Sequence, residues 1–310
     1  MKSLLIALGG NALLRNGDEA TYESQYRRAF ESFQGISRIL SENEVVITHG
    51  NGPQVGNILL QNEYSNKITP SMPLHSCGSM SQGLIGEILA NAYDSVRAIS
   101  GISKEASVII TRTVVDKNDQ AFQKPSKPIG PYYDLEVSKK LTKERGWIMR
   151  EENGKGYRRL VPSPKPMDIL ERNSIFGLLK DGFLPICVGG GGIPVVKTEK
   201  GFEGVDAVID KDLGSSLIAT ILELEKFVIL TDVDGVYVNY GQPDQKIIKH
   251  ISADDAEKLV NSGALPSGSM APKVMAAIDF VRRGGKEAII GSLDDAENVI
   301  SGYSGTVVER

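Results

Sequence analysis

Residues 44–56 have the sequence EVVITHGNGPQVG, in which an apolar run leads directly into a glycine-rich turn. The run is typical of a buried β-strand, and residues 54–66 have the apolar spacing of a helix. Glycine lets the backbone approach a ligand closely, and the first N–H groups of a helix have no partner inside the helix. The stretch therefore predicts a strand, a turn and a helix, with backbone N–H groups at the turn free to bind an anion.

Two more apolar runs lead into glycine-rich turns. Residues 3–8 (SLLIAL) precede residues 9–11 (GGN), and residues 183–188 (FLPICV) precede four consecutive glycines at 189–192. Three such turns at one edge of a parallel sheet would form a cradle of N–H groups for an anion. A polyphosphate is the obvious ligand for such a cradle.

Apolar runs and helical patterns alternate along most of the chain. The patterns predict helices at residues 22–40, 54–66, 79–98, 213–224, 252–262 and 270–283, and further strands at 106–110, 227–230, 287–290 and 305–309. This alternation predicts a mostly parallel sheet with helices on both faces. In such sheets ligands bind beyond the carboxyl ends of the strands, where the three glycine turns would lie.

Residues 116–166 interrupt this alternation. The segment contains six prolines and the only tryptophan, Trp147, and its 12 basic and 7 acidic residues give it a charge of +5 in a chain of net charge −4. A basic insertion on an acidic body fits a lid over an anionic substrate, and it also fits a solvated surface excursion. Charge alone does not choose between the two.

The composition bounds the class of protein. With 310 residues, 41% hydrophobic and 24% charged, the chain is predicted to be globular, with one large α/β domain or two smaller ones. The negative charge argues against a nucleic-acid partner. Two distant cysteines, Cys77 and Cys187, favour a reducing compartment. No secretory signal and no apolar stretch of membrane-spanning length is found, so we expect a cytoplasmic protein with no membrane partner.

Several common catalytic motifs are missing from the sequence. There is no P-loop motif, no protein-kinase signature and no G-x-S-x-G elbow. The glycines of residues 50–56 and 189–192 miss the G-x-G-x-x-G spacing, which argues against a dinucleotide dehydrogenase. Three scattered histidines argue against a zinc site, and His49, beside the glycines, is expected to be a structural turn residue.

Three lysines occur in unusual settings. Lys127 lies among prolines in residues 125–131 (PSKPIGP), and Lys211 and Lys273 lie at predicted helix starts. A cation at a helix N-terminus opposes the helix dipole, so a bound phosphate would give both helix-start lysines a stabilising role. Each lysine alone is more often a surface charge, but the three together indicate an anion site. Residues 231–237 (TDVDGVY) follow a predicted strand and form either part of a nucleotide site or a simple Asp-Gly turn.

Many blocks of the sequence, in order, resemble carbamate kinases. They are residues 7–12 (ALGGNA), 49–56, 127–131 (KPIGP), 161–164 (VPSP), 189–194, 207–212, 230–235 and 268–273. The similarity extends to residues 305–308 and so covers essentially the whole chain. Several other members of the amino-acid kinase superfamily have a lysine where this chain has Ala7. Carbamate kinases lack that lysine, as this chain does.

The resemblance implies a fold and an activity. The fold is an α/β three-layer αβα sandwich with a mostly parallel central sheet, formed as a single amino-acid kinase domain over residues 1–310. A small protruding lid subdomain, residues 116–166, would be inserted within it, and the protein would be a homodimer. The implied activity is reversible phosphoryl transfer between MgATP and carbamate, giving ADP and carbamoyl phosphate.

The resemblance also implies roles for individual residues. Lys127 would reach the substrate from the lid, Lys211 and Lys273 would hold the ATP phosphates, and Asp212 would orient the lysines. The carbamate and the transferred phosphoryl group would be bound by Gly9, Gly10, Asn11, Gly50, Asn51, Gly52, Gly190 and Gly191. The nucleotide would be surrounded by Thr231, Asp232, Tyr237 and Met270. Mg²⁺ would arrive on the nucleotide, with no metal site built from the protein alone.

Other functions stay open on the sequence alone. A related kinase with another carboxylate or phosphate acceptor is the first alternative, and a substrate panel separates it from a carbamate kinase. A catalytically inactive nucleotide-binding regulator is the second, and it would bind ATP without turnover. A dehydrogenase is a distant third, testable by binding of a nicotinamide cofactor.

Overall fold

The computed structural model describes residues 2–15, 17–152, 154–265 and 270–310, apart from the side chain of Asn11. The strands of the described residues are β1 Ser3–Leu8, β2 Glu44–His49, β3 Ala106–Val108, β4 Arg112–Val115, β5 Lys127–Tyr133, β6 Ile148–Glu151, β7 Tyr157–Val161, β8 Pro166–Ile169, β9 Leu184–Ile186, β10 Ile193–Thr198, β11 Gly201–Gly204, β12 Lys226–Thr231, β13 Val236–Val238, β14 Lys246–Ile248, β15 His250–Ser252, β16 Glu287–Ser292 and β17 Thr306–Glu309. The α-helices are α1 Tyr22–Gly35, α2 Ser37–Glu42, α3 Gly52–Ser65, α4 Leu74–Ser100, α5 Leu135–Arg145, α6 Arg172–Lys180, α7 Lys211–Ile221, α8 Ala253–Asn261, α9 Met270–Arg282 and α10 Ala296–Ser301.

The largest sheet has eight strands in the order β15-β17-β16-β12-β1-β2-β9-β3. The six strands from β16 to β3 are parallel, and β17 pairs antiparallel with β16 and parallel with β15. Parallel neighbours need crossover connections, which the intervening helices supply. The predicted mostly parallel sheet is therefore confirmed.

Strand β1 shows how the sheet divides the core. Leu4, Ile6 and Leu8 belong to one buried cluster, whereas Leu5 and Ala7 belong to another, because successive side chains of a strand point to opposite faces. The first cluster includes Phe33 of α1 and Tyr93 of α4, whose rings meet edge to face at 5.5 Å. The second includes Phe227 of β12 and Phe280 of α9 at 5.7 Å. Helices thus cover both faces and form the αβα sandwich.

Residues 116–166 contain their own small sheet. Strands β5, β7 and β6 form it in that order, all pairs antiparallel, and α5 connects β5 to β6. On either side of the segment along the chain, β4 and β8 belong to a four-stranded sheet of order β11-β10-β4-β8. This four-stranded sheet was not predicted from the sequence. Pro166, the last residue of the predicted lid, already begins β8.

Most helix and strand predictions are confirmed within a few residues. The helix predicted at residues 22–40 is wrong in one respect, because it breaks into α1 and α2 at Ile36, whose φ of −121° and ψ of 12° lie outside the helical range. None of the helices in the described part of the chain has the length and hydropathy needed to cross a membrane.

Candidate functional site

The three glycine turns lie side by side at the carboxyl ends of three adjacent strands, β1, β2 and β9. Strands β12, β1, β2 and β9 are neighbours in the sheet. The short 3₁₀ helix Gly10–Ala12 follows β1, α3 follows β2, and a second 3₁₀ helix, Gly189–Gly191, follows β9. Because the four strands are parallel, their following turns converge on one edge, as the sequence predicted.

Gly9 of the first turn has no room for a side chain, and Gly50 of the second turn faces Lys211. The N–H of Gly9 donates to the carbonyl of Leu230 at 3.0 Å, and a Cβ at Gly9 would lie 2.8 Å from that oxygen. A Cβ at Gly50 would lie 3.4 Å from Cδ of Lys211 and 3.9 Å from the nitrogen of Gly10. The two turns and Lys211 therefore surround one small space. The backbone of Asn11 lies in the first 3₁₀ helix.

The third turn has a backbone that favours glycine. Gly190 has a φ of 62°, and a Cβ there would lie 2.3 Å from Cγ of Asn51. The Nδ2 group of Asn51 donates to Ser81 Oγ at 2.8 Å, so this side chain is held against the turn. Val188 precedes the turn with a φ of 52°, which is strained for a β-branched residue. Gly191, with a φ of 88°, packs against Ile209 just before α7.

A cavity of about 250 Å³ opens between the second and third turns and the inserted segment. It is lined by Gly50, Asn51, Gly52, Val55, Lys127, Pro128, Ile129, Arg158, Gly190, Val208, Ile209, Asp210, Lys211, Asp212, Pro272 and Lys273. Four basic and two acidic side chains give the lining a formal charge of +2. The cavity thus brings together all three predicted lysines and suits an anionic ligand.

Asp212 bridges two of the lysines. Its Oδ1 accepts from Nζ of Lys211 at 2.5 Å and its Oδ2 from Nζ of Lys273 at 3.1 Å. Asp212 lies in the first turn of α7 and Lys273 in that of α9, so each is carried by a helix that packs on the central sheet. All three side chains are at most 15% exposed. The carboxylate therefore holds both lysines in fixed positions.

Burial and charge act in opposite directions on this cluster. Burial alone would raise the pKa of Asp212, but Lys211 and Lys273 outweigh it, and the pKa lies below its ordinary value. Burial lowers the pKa of Lys211, with Asp212 opposing the shift and Lys273 adding to it. Lys211 and Lys273 share the single carboxylate of Asp212. A bound phosphate would add negative charge beside them and so favour the charged form of Lys211.

Lys127 enters the cavity from the inserted segment. It is the first residue of β5, and its Nζ donates to Asp210 Oδ2 at 2.8 Å. Arg158 of β7 also lines the cavity, and its Nε donates to the carbonyl of Gly130 at 3.0 Å. Arg158 was not predicted as a site residue, and no role was predicted for Asp210. Asp210 was visible as the acid before a predicted helix, but its contact with Lys127 joins residues 83 positions apart.

Apart from the two lysines, the residues predicted to surround the nucleotide, namely Thr231, Asp232, Tyr237 and Met270, lie outside the cavity lining. Thr231 ends β12, and its hydroxyl donates to Asp232 Oδ1 at 3.1 Å. The hydroxyl of Tyr237 lies 2.8 Å from both carboxylate oxygens of Asp234. Met270 begins α9, one turn before Lys273. Gly268 and Ser269, which belong to the same sequence block, lie outside the described residues.

His49 is held as a neutral structural residue. Burial lowers its pKa to about 4, and Nδ1 donates to the carbonyl of Gly50 at 2.9 Å. A Cβ at Gly189 would lie 2.4 Å from the imidazole, so the ring packs tightly between two of the turns. Over the ranges that the structure describes, no group of three or more His, Cys, Asp or Glu side chains is placed to bind a metal ion.

Comparison with known proteins gives one consistent assignment. Residues 2–292 match the model of the amino acid kinase family. The carbamate kinase of Thermoplasma acidophilum is 50% identical over the full length of both chains, and that of Thermoplasma volcanium is 52% identical over 99% of each. The structure of carbamate kinase from Giardia lamblia bound to AMP-PNP superposes with a TM-score of 0.93 at 41% identity, over 99% of this chain and 98% of that one. The chain therefore belongs to the amino acid kinase family and, within it, to the carbamate kinases.

Proposed function

We propose that this carbamate kinase transfers a phosphoryl group reversibly between MgATP and carbamate, giving ADP and carbamoyl phosphate. The observation that carries the proposal is the cavity in which Lys127, Lys211 and Lys273 converge beside the glycine turns. Phosphoryl transfer needs alignment and charge stabilisation more than covalent help. A cavity in which ion-paired lysines lie beside glycine turns supplies both.

The glycine turns bind the reacting groups in this proposal. Backbone N–H groups of the turns would contact the carbamate and the transferred phosphoryl group. The N–H groups of Gly9, Gly50 and Gly191 already donate to backbone carbonyls, so these glycines would contribute close approach of the backbone to the ligand rather than a donor. The residues assigned to this role are Gly9, Gly10, Asn11, Gly50, Asn51, Gly52, Gly190 and Gly191. Asn51, held by Ser81, fixes the turn after β2 against the turn after β9.

The lysines neutralise the charge that phosphoryl transfer concentrates. Lys211 and Lys273 would bind phosphate oxygens of the nucleotide, and Lys127 would bind the transferred group from the opposite wall. Asp212 keeps the first two lysines in place. Carbamate is already an anionic nucleophile, so the reaction needs no general base, in keeping with the neutral, packed imidazole of His49.

The adenosine moiety and Mg²⁺ lie on the side of β12 and α9 in this proposal. Thr231, Asp232, Tyr237 and Met270 would surround the nucleotide. Both carboxylates of the cavity already accept from lysines, which fits a Mg²⁺ ion held by nucleotide phosphates and water. When bound, Mg²⁺ neutralises phosphate charge and orients the phosphates for transfer.

Residues 116–166 act as a lid in this proposal, since they deliver Lys127 and Arg158 to the cavity. Closure on binding predicts that ADP with carbamoyl phosphate slows hydrogen exchange in β5 and β7. Unchanged exchange there would contradict a closing lid.

We also propose a cytoplasmic homodimer. Strand β3 ends the central sheet, and Val108 and Ile110 beside this edge are about 40% exposed, as are Met80 and Leu84 on the adjacent α4. An exposed edge strand with apolar neighbours is a natural site for pairing with a second copy. Sedimentation equilibrium should give a dimer that Leu84→Arg dissociates, and a monomeric parent would refute this.

The direct test is ATP formation from ADP and carbamoyl phosphate with Mg²⁺. Lys127→Ala and Lys273→Ala should each lower kcat/KM by about 10²–10³-fold, the usual cost of removing one fixed donor to transition-state charge. Either variant within a few-fold of the parent would remove that lysine from the mechanism. Folded, ADP-binding protein without activity would favour another acceptor or a regulatory role.

A further inference from the structure

Asp210 makes two different contacts with its two carboxylate oxygens. Oδ1 accepts from the N–H of Asp212 at 2.9 Å and from that of Leu213 at 3.4 Å, which caps the N-terminus of α7. Oδ2 accepts from Nζ of Lys127 at 2.8 Å. The side chain of Asp210 is 14% exposed and that of Lys127 is 41% exposed. The less mobile partner of the ion pair is therefore the helix cap.

The backbone around this ion pair is also joined across the cavity wall. The N–H of Val208 donates to the carbonyl of Pro162 at 3.0 Å, and the N–H of Ser126 donates to the carbonyl of Val161 at 3.2 Å. Val161 is the register partner of Lys127 between β5 and β7. The start of β5 and the loop before α7 are thus linked through residues 161–162, and the ion pair extends this link into the cavity.

Fixing a lysine before the substrate binds lowers the entropy that is lost during binding. A free lysine side chain loses rotamer freedom when it is immobilised, and this loss opposes binding. Asp210 imposes that loss in the unliganded protein, so the loss does not raise the free energy of the transition state relative to the free enzyme. The ammonium group has three donors, and one of them on Asp210 leaves two for a phosphoryl oxygen.

The same carboxylate opposes binding of anions in the ground state. With Asp210 charged, the cavity lining has a formal charge of +2, and without it the charge is +3. Neutralising Asp210 should therefore tighten the binding of a simple anion and release Lys127 at the same time. A helix cap that lies outside the cavity would do neither.

We propose that Asp210 is a positioning residue that acts through Lys127: it aligns this lysine for phosphoryl transfer and weakens ground-state anion binding. The inference rests on the proposed function and deepens it. Asp210 is not required to touch the substrate, and its effect on turnover depends on the presence of Lys127.

Asp210→Asn tests this with little change in shape, because asparagine is also a good helix N-cap. We expect kcat to fall about tenfold or more, as misplacement of a catalytic group by about 1 Å costs up to about 10²-fold. The KM for carbamoyl phosphate should not rise, and inorganic phosphate should bind more tightly by calorimetry. Asp134→Asn is the matched control, because Asp134 caps α5 through the N–H of Val137 at 2.7 Å and lies outside the cavity.

A double-mutant cycle gives the decisive comparison. In the Lys127→Ala background, Asp210→Asn should lower kcat no further. An equal loss in both backgrounds, or an Asp210→Asn variant that matches Asp134→Asn in kcat and phosphate affinity, would overturn the positioning role. If the parent makes no ATP, the proposed function fails. Phosphate binding by Asp210→Asn no tighter than by the parent overturns the positioning role alone.

Discussion

The shared carboxylate of Asp212 gives the sharpest test of how the site is held together. Asp212→Asn keeps the size of the side chain but removes the charge that two lysines share. An amide also turns an N–H group toward at least one ammonium group. The variant therefore leaves Lys211 and Lys273 close together, largely buried and without their common partner.

The structure sets the magnitude of the loss. Removing one partner of a buried ion pair costs about 3–5 kcal/mol, because the remaining charge stays buried and unpaired. Both lysines face a cavity that admits water, and their side chains are 15% and 9% exposed, so the lower value, about 3 kcal/mol, applies. For a domain of this size, about 2 °C per kcal/mol predicts a fall in Tm of roughly 6 °C at neutral pH.

The pH dependence has a definite sign. The pKa of Asp212 in the folded protein lies below its ordinary value of 3.8, so the unfolded chain binds the proton more readily. Its contribution is fully present above the ordinary pKa and is lost as pH falls through the folded-state pKa. The Tm difference between parent and variant should therefore be constant near neutral pH and shrink in acid. At high pH, loss of Asp212 lowers the pKa of Lys211 further, so the alkaline fall in activity should begin at lower pH.

Thermal unfolding from acid to neutral pH and ATP formation across the alkaline range measure these effects. Asp279→Asn is the control, since Asp279 pairs with Arg283 at 3.0 Å on the exposed surface of α9 and such pairs contribute little. An Asp212→Asn variant with the Tm of the parent, or with an unchanged alkaline limb, would refute the view that this carboxylate holds the lysines charged and in place.

Two further predictions concern the glycine turns and His49. Gly190→Ala should lower kcat/KM for ATP formation about 10²-fold, because a Cβ there meets Asn51 at 2.3 Å on a backbone with a φ of 62°. Gly35→Ala is the control and should keep parental activity, because Gly35 has open space at the end of α1. Equal activities of the two variants would contradict the close packing at Gly190. Burial lowers the pKa of His49 to about 4, so this residue should cause no inflection near pH 6.5 in the pH profile of kcat/KM. His49→Gln should therefore leave the shape of the profile near pH 6.5 unchanged.

The core of the fold was predictable because buried parallel strands are short apolar runs. Strand β1 has the predicted bounds, and β2 and β12 extend the predicted runs by one or two residues. The four-stranded sheet was not predicted, since β4 and β11 are four residues each and carry polar or glycine residues. Their pairing depends on contacts with β10, and the local sequence pattern does not predict such contacts.

The site was predictable in its components and not in its pairings. Lys211 stands between two acids in the sequence, and nothing local shows that Asp210 and Asp212 serve different lysines. The helix start separates them, because Asp210 has an extended backbone with φ −66° and ψ 126°, whereas Asp212 lies in the first helical turn. One carboxylate then faces Lys127 of the inserted segment and the other faces Lys273 of α9. The N-terminus of α7 is consequently the point where lysines from three separate elements converge, and the proposed phosphate would contact all three there.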